Sequence, residues 1–310
     1  MDAKLKSLLE SAQKLGVVIK MVSFDKPVVR LVKNGKRRYI VGSSLPLNNN
    51  VSAKISKDKS LTKEILSEIG ISTPKGFVTS HLQEAESEFG KINLGFPVVV
   101  KPNDSALGHG VTANIESWEE FNNAFKKAKQ YSESILIEEH FFGDDHRILV
   151  LDGKVVAAAR RNLPFVNGDG KSSVKELIER FNEGRLFDEK LRIDKEVERT
   201  LKKENLNLNS ICRKGQRIGL RWNANVATGG IVEDVTDTIS KTFKQIAVKA
   251  VKEIGFRFAG VDLMTKDITK DSQEYVLTEI NGVPGFDLHF SPTYGKTRDV
   301  SELIIKAIFY

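Results

Sequence analysis

Two apolar stretches near the C-terminal end of the chain carry polar side chains suited to binding a metal ion. In LTEING, Glu279 and Asn281 lie one residue apart at the end of an apolar run. Because side chains alternate along a strand, both point to the same face. Asp262 lies within AGVDLMT, where an acid should not be buried unpaired. Two carboxylates and an amide oxygen suit Mg²⁺, which is usually shared with substrate phosphates. An ion pair between Asp262 and a nearby Lys or Arg is the alternative.

A second stretch, PVVVKPNDSALGHGV, is suited to holding phosphate. It places Lys101 at the end of a β run, and a loop of small residues follows from Ser105 to Gly110. Such a loop lets backbone N–H groups approach phosphate oxygens, while the lysine supplies a point charge. The alternative is a surface hairpin whose glycines only serve its turn.

A third stretch, ILIEEHFFGDDHR, is a strand that ends in adjacent acids. Backbone groups from Glu138 to Phe141 are placed to read the edge of an adenine, and Asp145 is placed to accept hydrogen bonds from ribose hydroxyls. A charged strand end in solvent is the alternative. The segment GDGKSS contains Gly-Lys-Ser, but a P-loop needs glycine at position 165, which is Phe165, so a P-loop is excluded.

The composition is that of an ordinary globular protein, with 40% hydrophobic and 29% charged residues among 310. No apolar run reaches the roughly 18 residues that span a bilayer, and the N-terminus has no signal-peptide core. A single cysteine, Cys212, excludes an intramolecular disulfide. We therefore expect a cytoplasmic protein without a membrane partner. The net charge of +7 is spread along the chain, and because no nucleic-acid-binding module is present, nucleic acid is not an expected partner.

The order of strands and helices predicts an α+β fold, because strands often follow one another directly. A hairpin is predicted at Asn34-Gly35, a helix over 58–70 that Gly70 ends, and a helix over 240–255 that Gly255 ends. Ser117 and Glu120 fit a capping box. The charged segment of about 170–215 is expected to be an insertion or mobile cover on the main sheet without a core of its own.

Together these motifs resemble the ATP-grasp superfamily of carboxylate–amine ligases, because a lysine, a lysine with a Gly-rich loop, an acidic hinge strand and Asp with Glu-x-Asn follow in that order. The chain is most similar to the ATP-grasp part of cyanophycin synthetase, with bifunctional glutathione synthetases further away. The strings that carry this similarity are VNGDGKSSVKELI, LRWNANVATGGIVEDVTD and EINGVPGFDLHFSPTYGKTRDV, and the resemblance runs from about residue 55 to the C-terminus.

The resemblance implies an ATP-grasp fold in which two α+β subdomains grip ATP after a short β-rich N-terminal region. The expected segments are 1–55, 56–135 with the phosphate loop, and 136–310 with the hinge, the Mg²⁺ site and the charged insertion. The implied ATP contacts are Lys59, Lys101, Ser105, Gly108, Gly110, Glu138, Glu139, Phe141 and Asp145. The implied ligands of one or two Mg²⁺ ions, for which Mn²⁺ can substitute, are Asp262, Glu279 and Asn281. The residues that would face the acyl phosphate are Arg161, Asn225, Thr228, Gly229 and Gly230. His289 and Arg298 are substrate-side candidates.

The implied activity is ATP-dependent formation of an amide bond between an amino acid or peptide carboxylate and an amine, through an acyl phosphate. A glutathione-synthetase-like or γ-glutamyl ligase is one alternative, and a catalytically silent subunit that keeps the fold is another. A basic nucleic-acid or polymer-binding protein is a third. About 55 residues precede the match and none follow it, so counterparts of the large N-terminal and Mur-ligase-like C-terminal domains of cyanophycin synthetase are not expected, and Ala227 replaces a serine of the family motif. A homo-oligomer is compatible with the short N-terminal region.

Overall fold

The computed structural model of the chain describes residues 3–105, 108–185, 190–224, 226–272 and 274–310. The helices among them are α1 (Ala3–Lys14), α2 (Asn50–Lys57), α3 (Lys59–Glu68), α4 (Leu82–Lys91), α5 (Trp118–Ala128), α6 (Val174–Phe181), α7 (Lys195–Lys203), α8 (Lys241–Ile254) and α9 (Ser301–Phe309). The strands are β1 (Val18–Ser23), β2 (Val28–Lys33), β3 (Lys36–Val41), β4 (Gly76–Thr79), β5 (Val98–Pro102), β6 (Thr112–Ile115), β7 (Ile135–Glu139), β8 (Asp144–Leu151), β9 (Lys154–Asn162), β10 (Phe165–Asn167), β11 (Arg217–Gly219), β12 (Ile231–Asp234), β13 (Phe258–Thr265) and β14 (Tyr275–Asn281).

The chain divides into two compact units whose segments alternate in sequence. The first unit comprises residues 1–74, 141–160 and 234–310, and the second comprises 75–140 and 161–233. The sequence, by contrast, predicts consecutive segments, because a linear reading does not reveal which distant segments pack together. The assignment of 1–55, 56–135 and 136–310 to a short N-terminal region and two ATP-grasp subdomains stays a prediction.

The main sheet of the first unit has the strand order β12-β9-β8-β13-β14. The last residues of β9 and the first residues of β12 are assigned to the second unit. The pairs β8–β13 and β13–β14 are antiparallel. Strand residues alternate between two apolar clusters: Ile148 and Val261 belong to one with α3 and α8, and Leu149 and Phe258 belong to the other with α1 and α9. Burial on both faces explains why most of β13 and the second half of β8, Ile148 to Leu151, are apolar.

The N-terminal region forms a three-stranded antiparallel sheet in the order β1-β2-β3. The predicted hairpin is confirmed, since Lys33 pairs with Lys36 across Asn34 and Gly35. Both turn residues have positive φ, 49° and 76°, as a two-residue hairpin turn requires. One face of this sheet packs on the second apolar cluster through Val29, Leu31 and Ile40, which are fully buried.

The predicted helix ends are largely those of the structure. Ser240 caps α8 by accepting from the N–H of Phe243, and Gly255 ends it with φ 84°. Ser117 caps α5 by accepting from the Glu120 N–H at 3.2 Å. The full capping box predicted there is wrong, because the Glu120 carboxylate accepts from the N–H of Glu116, one residue before the cap, and not from that of Ser117.

The first half of the second unit, residues 75–140, packs helices α4 and α5 on a sheet of order β4-β7-β5-β6. Its core is rich in aromatic rings, and Phe89 contacts Phe121 edge-to-face with ring centroids 5.5 Å apart. Offset and edge-to-face ring pairs add stability beyond the burial of their area. This core fixes the strands that carry Lys101 and Glu138.

The second half of this unit, residues 161–233, has an apolar cluster of its own. The prediction of a cover without a core is therefore wrong. The buried members of the cluster are Val166, Val174, Leu177, Ile178, Leu191, Val197, Leu201, Cys212, Ile218 and Leu220. The sequence hides them because α6 and α7 are short and strongly amphipathic, so few apolar residues stand among many charged ones.

The GDGKSS segment is a helix entry, in agreement with the exclusion of a P-loop. The Asp169 carboxylate accepts from the N–H groups of Lys171 and Ser172 at 2.9 and 2.7 Å. These bonds, first of all the one from Ser172, hold the pKa of Asp169 well below its ordinary value. The backbone donors that a P-loop offers to phosphate are thus bound to the chain's own carboxylate. Among the residues that the structure describes, no helix is long and apolar enough to cross a membrane.

Candidate active site

Two neighbouring strands of the first unit bring the predicted metal ligands to one face of the main sheet. Asp262 of β13 lies directly opposite Glu279 of β14, and Gly260 lies opposite Asn281. Directly opposed residues of antiparallel strands point to the same side, so the two carboxylates and the amide share a face. A β-bulge follows, since Leu263 pairs with Leu277 and Thr278 is the extra residue. Side chains alternate along a regular strand, so Leu277 and Glu279 would point to the same face without the bulge. The extra residue Thr278 lets Leu277 join the apolar cluster while Glu279 points to the opposite face.

Asp262 is bound by a guanidinium in this structure. Arg147, its partner on β8, donates from Nε to Oδ1 at 2.5 Å and from a terminal nitrogen to Oδ2 at 3.2 Å. Both residues are buried, with 8% and 6% of their surface exposed. The alternative prediction, an ion pair between Asp262 and a nearby basic residue, is therefore confirmed. The pair lies in the interior of the sheet and is not a surface ion pair.

Glu279 also lines a narrow cleft with two lysines of α3. Lys59 is the first residue of α3, which Asp58 caps by accepting from the N–H of Leu61 at 3.0 Å. Lys63 follows one turn later on the same helix face, and both lysines line the cleft with Glu279. Lys63 is absent from the residues predicted from the sequence, although its spacing of four from Lys59 is a signal for it.

In the second unit, Lys101 and Glu138 form a buried ion pair. Glu138 lies opposite Val99 on β5, so it points to the same face as Lys101 two residues along. The Lys101 Nζ is 2.5 Å from Oε1 of Glu138, and both residues are buried. Here the Glu138 side chain neutralises the lysine predicted to hold phosphate.

The Gly-rich loop after β5 depends on its glycines. Gly108 and Gly110 have φ of 73° and 74°, which L-residues with a side chain rarely adopt. A Cβ on Gly110 would lie 2.8 Å from Pro102 and 2.9 Å from Tyr131. The Ser105 hydroxyl donates to the carbonyl of His109 at 3.2 Å, which closes the loop on itself. The described residues thus form a tight loop of small residues, as predicted.

Strand β6, which leaves this loop, is held by helix α7. Arg199 donates to the backbone carbonyls of Ala113 and Asn114 at 2.6 and 3.2 Å, and Lys203 also donates to Asn114. Arg199 further pairs with Glu120 at 3.3 Å. No local sequence signal predicts this contact, since 85 residues separate Arg199 from Asn114. It fixes one end of the Gly-rich loop to the second half of the unit.

The predicted adenine hinge is partly occupied by the protein's own backbone. The Glu139 N–H donates to the carbonyl of Lys75 at 2.8 Å, and the Glu139 carboxylate accepts from the N–H of Lys75 at 3.0 Å. The N–H of the next residue, His140, donates to the carbonyl of Pro97. The N–H groups of Glu139 and His140 are therefore already satisfied. Burial, followed by the charge of Lys203, lowers the pKa of His140 to about 4.

The other hinge residues lie in the first unit, after the chain passes its boundary at residue 141. Phe141 is half-buried and packs on Gly143, where a Cβ would meet its ring at 2.7 Å. Asp145 is half-buried on β8 opposite Met264. Their roles at adenine and ribose stay predictions.

The predicted acyl-phosphate segment of the second unit is tied down at several points. The Thr228 hydroxyl donates to the Asn223 side chain at 2.9 Å, and Arg185 donates to the carbonyl of Gly230 at 2.8 Å. Gly229 has φ 98°, and a Cβ there would lie 2.9 Å from Leu191. Arg161 is half-buried near the end of β9, and Asn225 lies outside the described residues.

The two substrate-side candidates are linked to each other in the first unit. The N–H of Arg298 donates to the carbonyl of His289, which is buried, at 2.7 Å. The Arg298 guanidinium contacts Asp234 at 2.8 Å and Asp237 at 2.7 Å. The hydrogen bonds that Arg298 donates to these acids, first to Asp234, raise its pKa. Its charge is thus largely compensated within the protein.

Comparison with known proteins identifies the family of this chain. A family model described as the RimK-like ATP-grasp domain matches residues 56–177 and 207–308. The chain belongs to the RimK-like ATP-grasp family. The predicted ATP-grasp fold is confirmed, and a D-alanine–D-alanine ligase from Bacillus anthracis complexed with ATP shares it with a TM-score of 0.52 at 18% identity over 84% of this chain and 67% of that one.

More similar relatives of this ATP-grasp chain are longer proteins. Cyanophycin synthetase from Nostoc sp. is 38% identical over 268 residues, covering 84% of this chain and 30% of the relative. The glutathione biosynthesis bifunctional protein of Desulfotalea psychrophila is 30% identical over 99% of this chain and 41% of its own length. The structure of a bifunctional glutathione synthetase from Pasteurella multocida matches all of this chain with a TM-score of 0.71 at 26% identity, over 44% of its own length. The ATP-grasp chain therefore spans less than half of these three relatives.

Proposed function

We propose that this ATP-grasp chain is an ATP-dependent ligase that joins the carboxylate of an amino acid or peptide to an amine. Family membership and the similarity to cyanophycin synthetase and glutathione synthetase support the proposal. ATP is made and used in the cytoplasm, so we place the reaction there. The chain departs from the family motif at Ala227, where that motif has a serine.

The proposed chemistry overcomes the poor reactivity of a carboxylate. A carboxylate oxygen attacks the γ-phosphorus of ATP, and ADP leaves. The resulting acyl phosphate has a far better leaving group, so an amine can attack its carbonyl carbon. The amine loses a proton, the C–O bond breaks, and an amide and inorganic phosphate form. The protein contributes positions and charges, because little covalent chemistry is left for side chains.

The single observation that carries the proposal is the pairing of Asp262 with Glu279 and of Gly260 with Asn281. It aligns two carboxylates and an amide on one face, and Glu279 lines a narrow cleft together with Lys59 and Lys63 of α3. Anionic ligands for a cation next to cationic ligands for phosphate form the usual environment of a metal–nucleotide complex.

The side chains of Asp262, Glu279 and Asn281 fit Mg²⁺, and equally Mn²⁺, because each can offer a hard oxygen atom as ligand. Asp262, Glu279 and Asn281 would hold the ion, which supplies charge neutralisation of the transferring phosphate when bound. The bond from Arg147 to Asp262 competes for the same oxygens. We therefore propose that Glu279 and Asn281 provide the first contacts and that Asp262 joins them when Arg147 shifts.

We assign phosphate contacts to Lys59 and Lys101 and to the backbone of the Gly-rich loop at Ser105, Gly108 and Gly110. Arg161 and the segment Thr228 to Gly230 would stabilise the charge of the acyl phosphate. Groups that are fixed before the reaction need little reorganisation during it. The hydrogen bonds of Thr228 to Asn223 and of Arg185 to the carbonyl of Gly230 fix this segment. His289 and Arg298 would shape the substrate side, with Arg298 acting through its bond to His289.

A catalytically silent subunit is the second candidate, and the Arg147–Asp262 ion pair is the observation that favours it. In a silent subunit a guanidinium permanently replaces the cation. In the ligase the same pair would be a resting state, and Asp262 would exchange Arg147 for the cation. A glutathione-synthetase-like or γ-glutamyl specificity is an alternative within the ligase reading, to be decided by the substrates that support turnover.

The test measures ADP release in the presence of Mg²⁺ and a panel of carboxylate and amine substrates. We expect turnover only when both are supplied, with the amide identified by its mass. Glu279→Gln should abolish turnover and leave the unfolding midpoint nearly unchanged. Glu274→Gln, which removes an exposed carboxylate just before β14, is the matched control and should keep full activity. No turnover with any pair would contradict the ligase and favour the silent subunit.

A further inference from the structure

The positive charge of the protein is concentrated in one segment. Of 48 basic and 41 acidic residues, seven basic residues and a single acid, Asp25, lie between Val18 and Val41. The rest of the chain is nearly neutral, with a net charge of +1. The even spread of charge predicted from the sequence is therefore wrong for this segment, which forms the three-stranded sheet β1-β2-β3.

This sheet has one open face. Its inner face carries the fully buried Val29, Leu31 and Ile40. Its outer face carries apolar side chains that are about half exposed or more, among them Val18 at 66%, Val41 at 50% and Tyr39 at 49%. A sheet of three strands with strongly exposed Val and Tyr side chains is a candidate contact surface, since each apolar group left in water costs free energy.

Basic side chains run across the middle of this outer face. Lys20 of β1 lies directly opposite Arg30 of β2, which in turn lies opposite Tyr39 of β3. Arg37 lies opposite Val32 in the next outward-facing row. Like charges directly opposed across strands are unfavourable. In the described part of the chain, none of these three cations forms an ion pair, and the Nε of Arg30 is buried without an acceptor.

We propose that the outer face of the N-terminal sheet, formed by Val18, Lys20, Arg30, Arg37, Tyr39 and Val41, docks an acidic polypeptide segment in an extended conformation. Carboxylates would relieve the repulsion between Lys20 and Arg30 and provide an acceptor for the guanidinium. An extended peptide places alternate side chains on one side about every 7 Å, which is the spacing of alternate residues along the strands beneath it. Val18, Tyr39 and Val41 would contact the aliphatic carbons of the peptide's side chains.

Other occupants fit this face less well. A second copy of the chain would bring the same positive charges against each other. Sheets that bind single-stranded nucleic acid stack bases on several aromatic side chains, and here Tyr39 is the one aromatic residue within the three strands. These occupants are outcomes that the experiment must separate.

The test measures binding of a fluorescein-labelled oligo-glutamate peptide by anisotropy, without ATP, so that ligase activity plays no part. The test variant is Lys20→Glu with Arg37→Glu, both exposed on the outer face. The matched control is Lys175→Glu with Lys241→Glu, two exposed residues in the first turns of α6 and α8. Both variants change the net charge equally. We expect the test variant to bind at least about tenfold more weakly, the control to stay within about twofold, and wild-type affinity to fall with added salt.

The test variant should remain folded, because Lys20→Glu replaces a like-charge pair with an opposite-charge pair; a thermal melt checks this. If the double variant does not fold, Lys20→Gln alone should still weaken binding. Equal binding by wild type, test variant and control overturns the proposal. So does tighter binding of a labelled oligothymidylate of equal charge or of phosphatidylserine vesicles, which would assign the face to nucleic acid or to a membrane surface.

Discussion

At the scale of single residues, the ion pair of Arg147 with Asp262 is buried, as is that of Lys101 with Glu138. Two charges in the interior of a sheet lose hydration, and their mutual attraction offsets this loss only when the geometry is good. Two hydrogen bonds from one guanidinium provide that geometry. The pair therefore gives the carboxylate of Asp262, a proposed metal ligand, a charged partner within the protein.

Arg147→Ala should lower the free energy of unfolding by about 3 kcal/mol, because it leaves the Asp262 carboxylate buried and uncompensated. Arg257→Ala is the control, since it breaks a similar pair with Asp152 whose side chains are 49% and 42% exposed, and should cost about 1 kcal/mol or less. Urea unfolding measures both. Mg²⁺ should stabilise Arg147→Ala more than wild type, because Asp262 is then free to bind it. Equal destabilisation by the two variants would show that burial of the Arg147 pair has no energetic weight.

His140 predicts a pH dependence of stability. Its folded-state pKa of about 4 lies below the ordinary value of 6.5. As the pH falls below about 6.5, the unfolded chain therefore takes up a proton before the folded protein does. The contribution is complete above pH 6.5 and decreases down to about pH 4, by up to about 3 kcal/mol in total. Urea unfolding across this range should show the decrease for wild type and a smaller one for His140→Gln. Identical profiles would contradict the cause assigned here.

At the scale of elements, the Gly-rich loop offers a comparison between two glycines. Gly110→Ala should raise the KM for ATP and lower stability by about 1–3 kcal/mol, because the residue has positive φ and its Cβ would meet Pro102 and Tyr131. Gly90→Ala lies within α4 with open space around it and should be neutral or stabilising by up to about 1 kcal/mol. ADP-release kinetics measure the KM for ATP, and thermal melts measure the stability, of both variants. An unchanged KM for Gly110→Ala would remove the loop from the nucleotide site.

The separate core of residues 161–233 predicts a large effect of a single truncation in α7. Leu201→Ala should cost about 2–5 kcal/mol, since the side chain is fully buried in that cluster. Ile193→Ala, at 38% exposure, should cost much less. Urea unfolding of both variants provides the measurement. A small effect of Leu201→Ala would restore the interpretation of this segment as a loose cover.

The elements that were predictable from sequence are those with local signals. Asn34-Gly35 sets a hairpin and Ser240 with Gly255 sets both ends of a helix, because each acts within a few residues of its own position. The bulge at Thr278 and the Arg147–Asp262 pair have no such signal, since they depend on the register between strands far apart in the chain. The charge pattern likewise could not show that Glu138 neutralises Lys101, because β5 and β7 are joined by a strand and a helix.

At the scale of the whole molecule, the order of motifs along the chain was the most informative feature. Lys59, Lys101, the acidic hinge strand and Glu279 with Asn281 are individually weak signals, yet their order indicates the ATP-grasp family, to which the chain belongs. The division into two interleaved units was not predictable, because the segments of each unit are separated along the chain by 20 to 73 residues that belong to the other unit. The identity of the two substrates is encoded in side chains that the order of motifs does not specify.

The central claim, transfer of a phosphoryl group to a carboxylate before amide formation, is tested most directly by isotope transfer. The protein is incubated with ATP, Mg²⁺, an amine and a carboxylate substrate labelled with ¹⁸O in both carboxylate oxygens. The bridging oxygen of an acyl phosphate comes from the carboxylate and leaves with phosphorus, so the account predicts one ¹⁸O atom in each inorganic phosphate formed, detected by mass spectrometry. Phosphate without label, formed at the same rate with and without the carboxylate, would contradict the ligase and show simple hydrolysis of ATP.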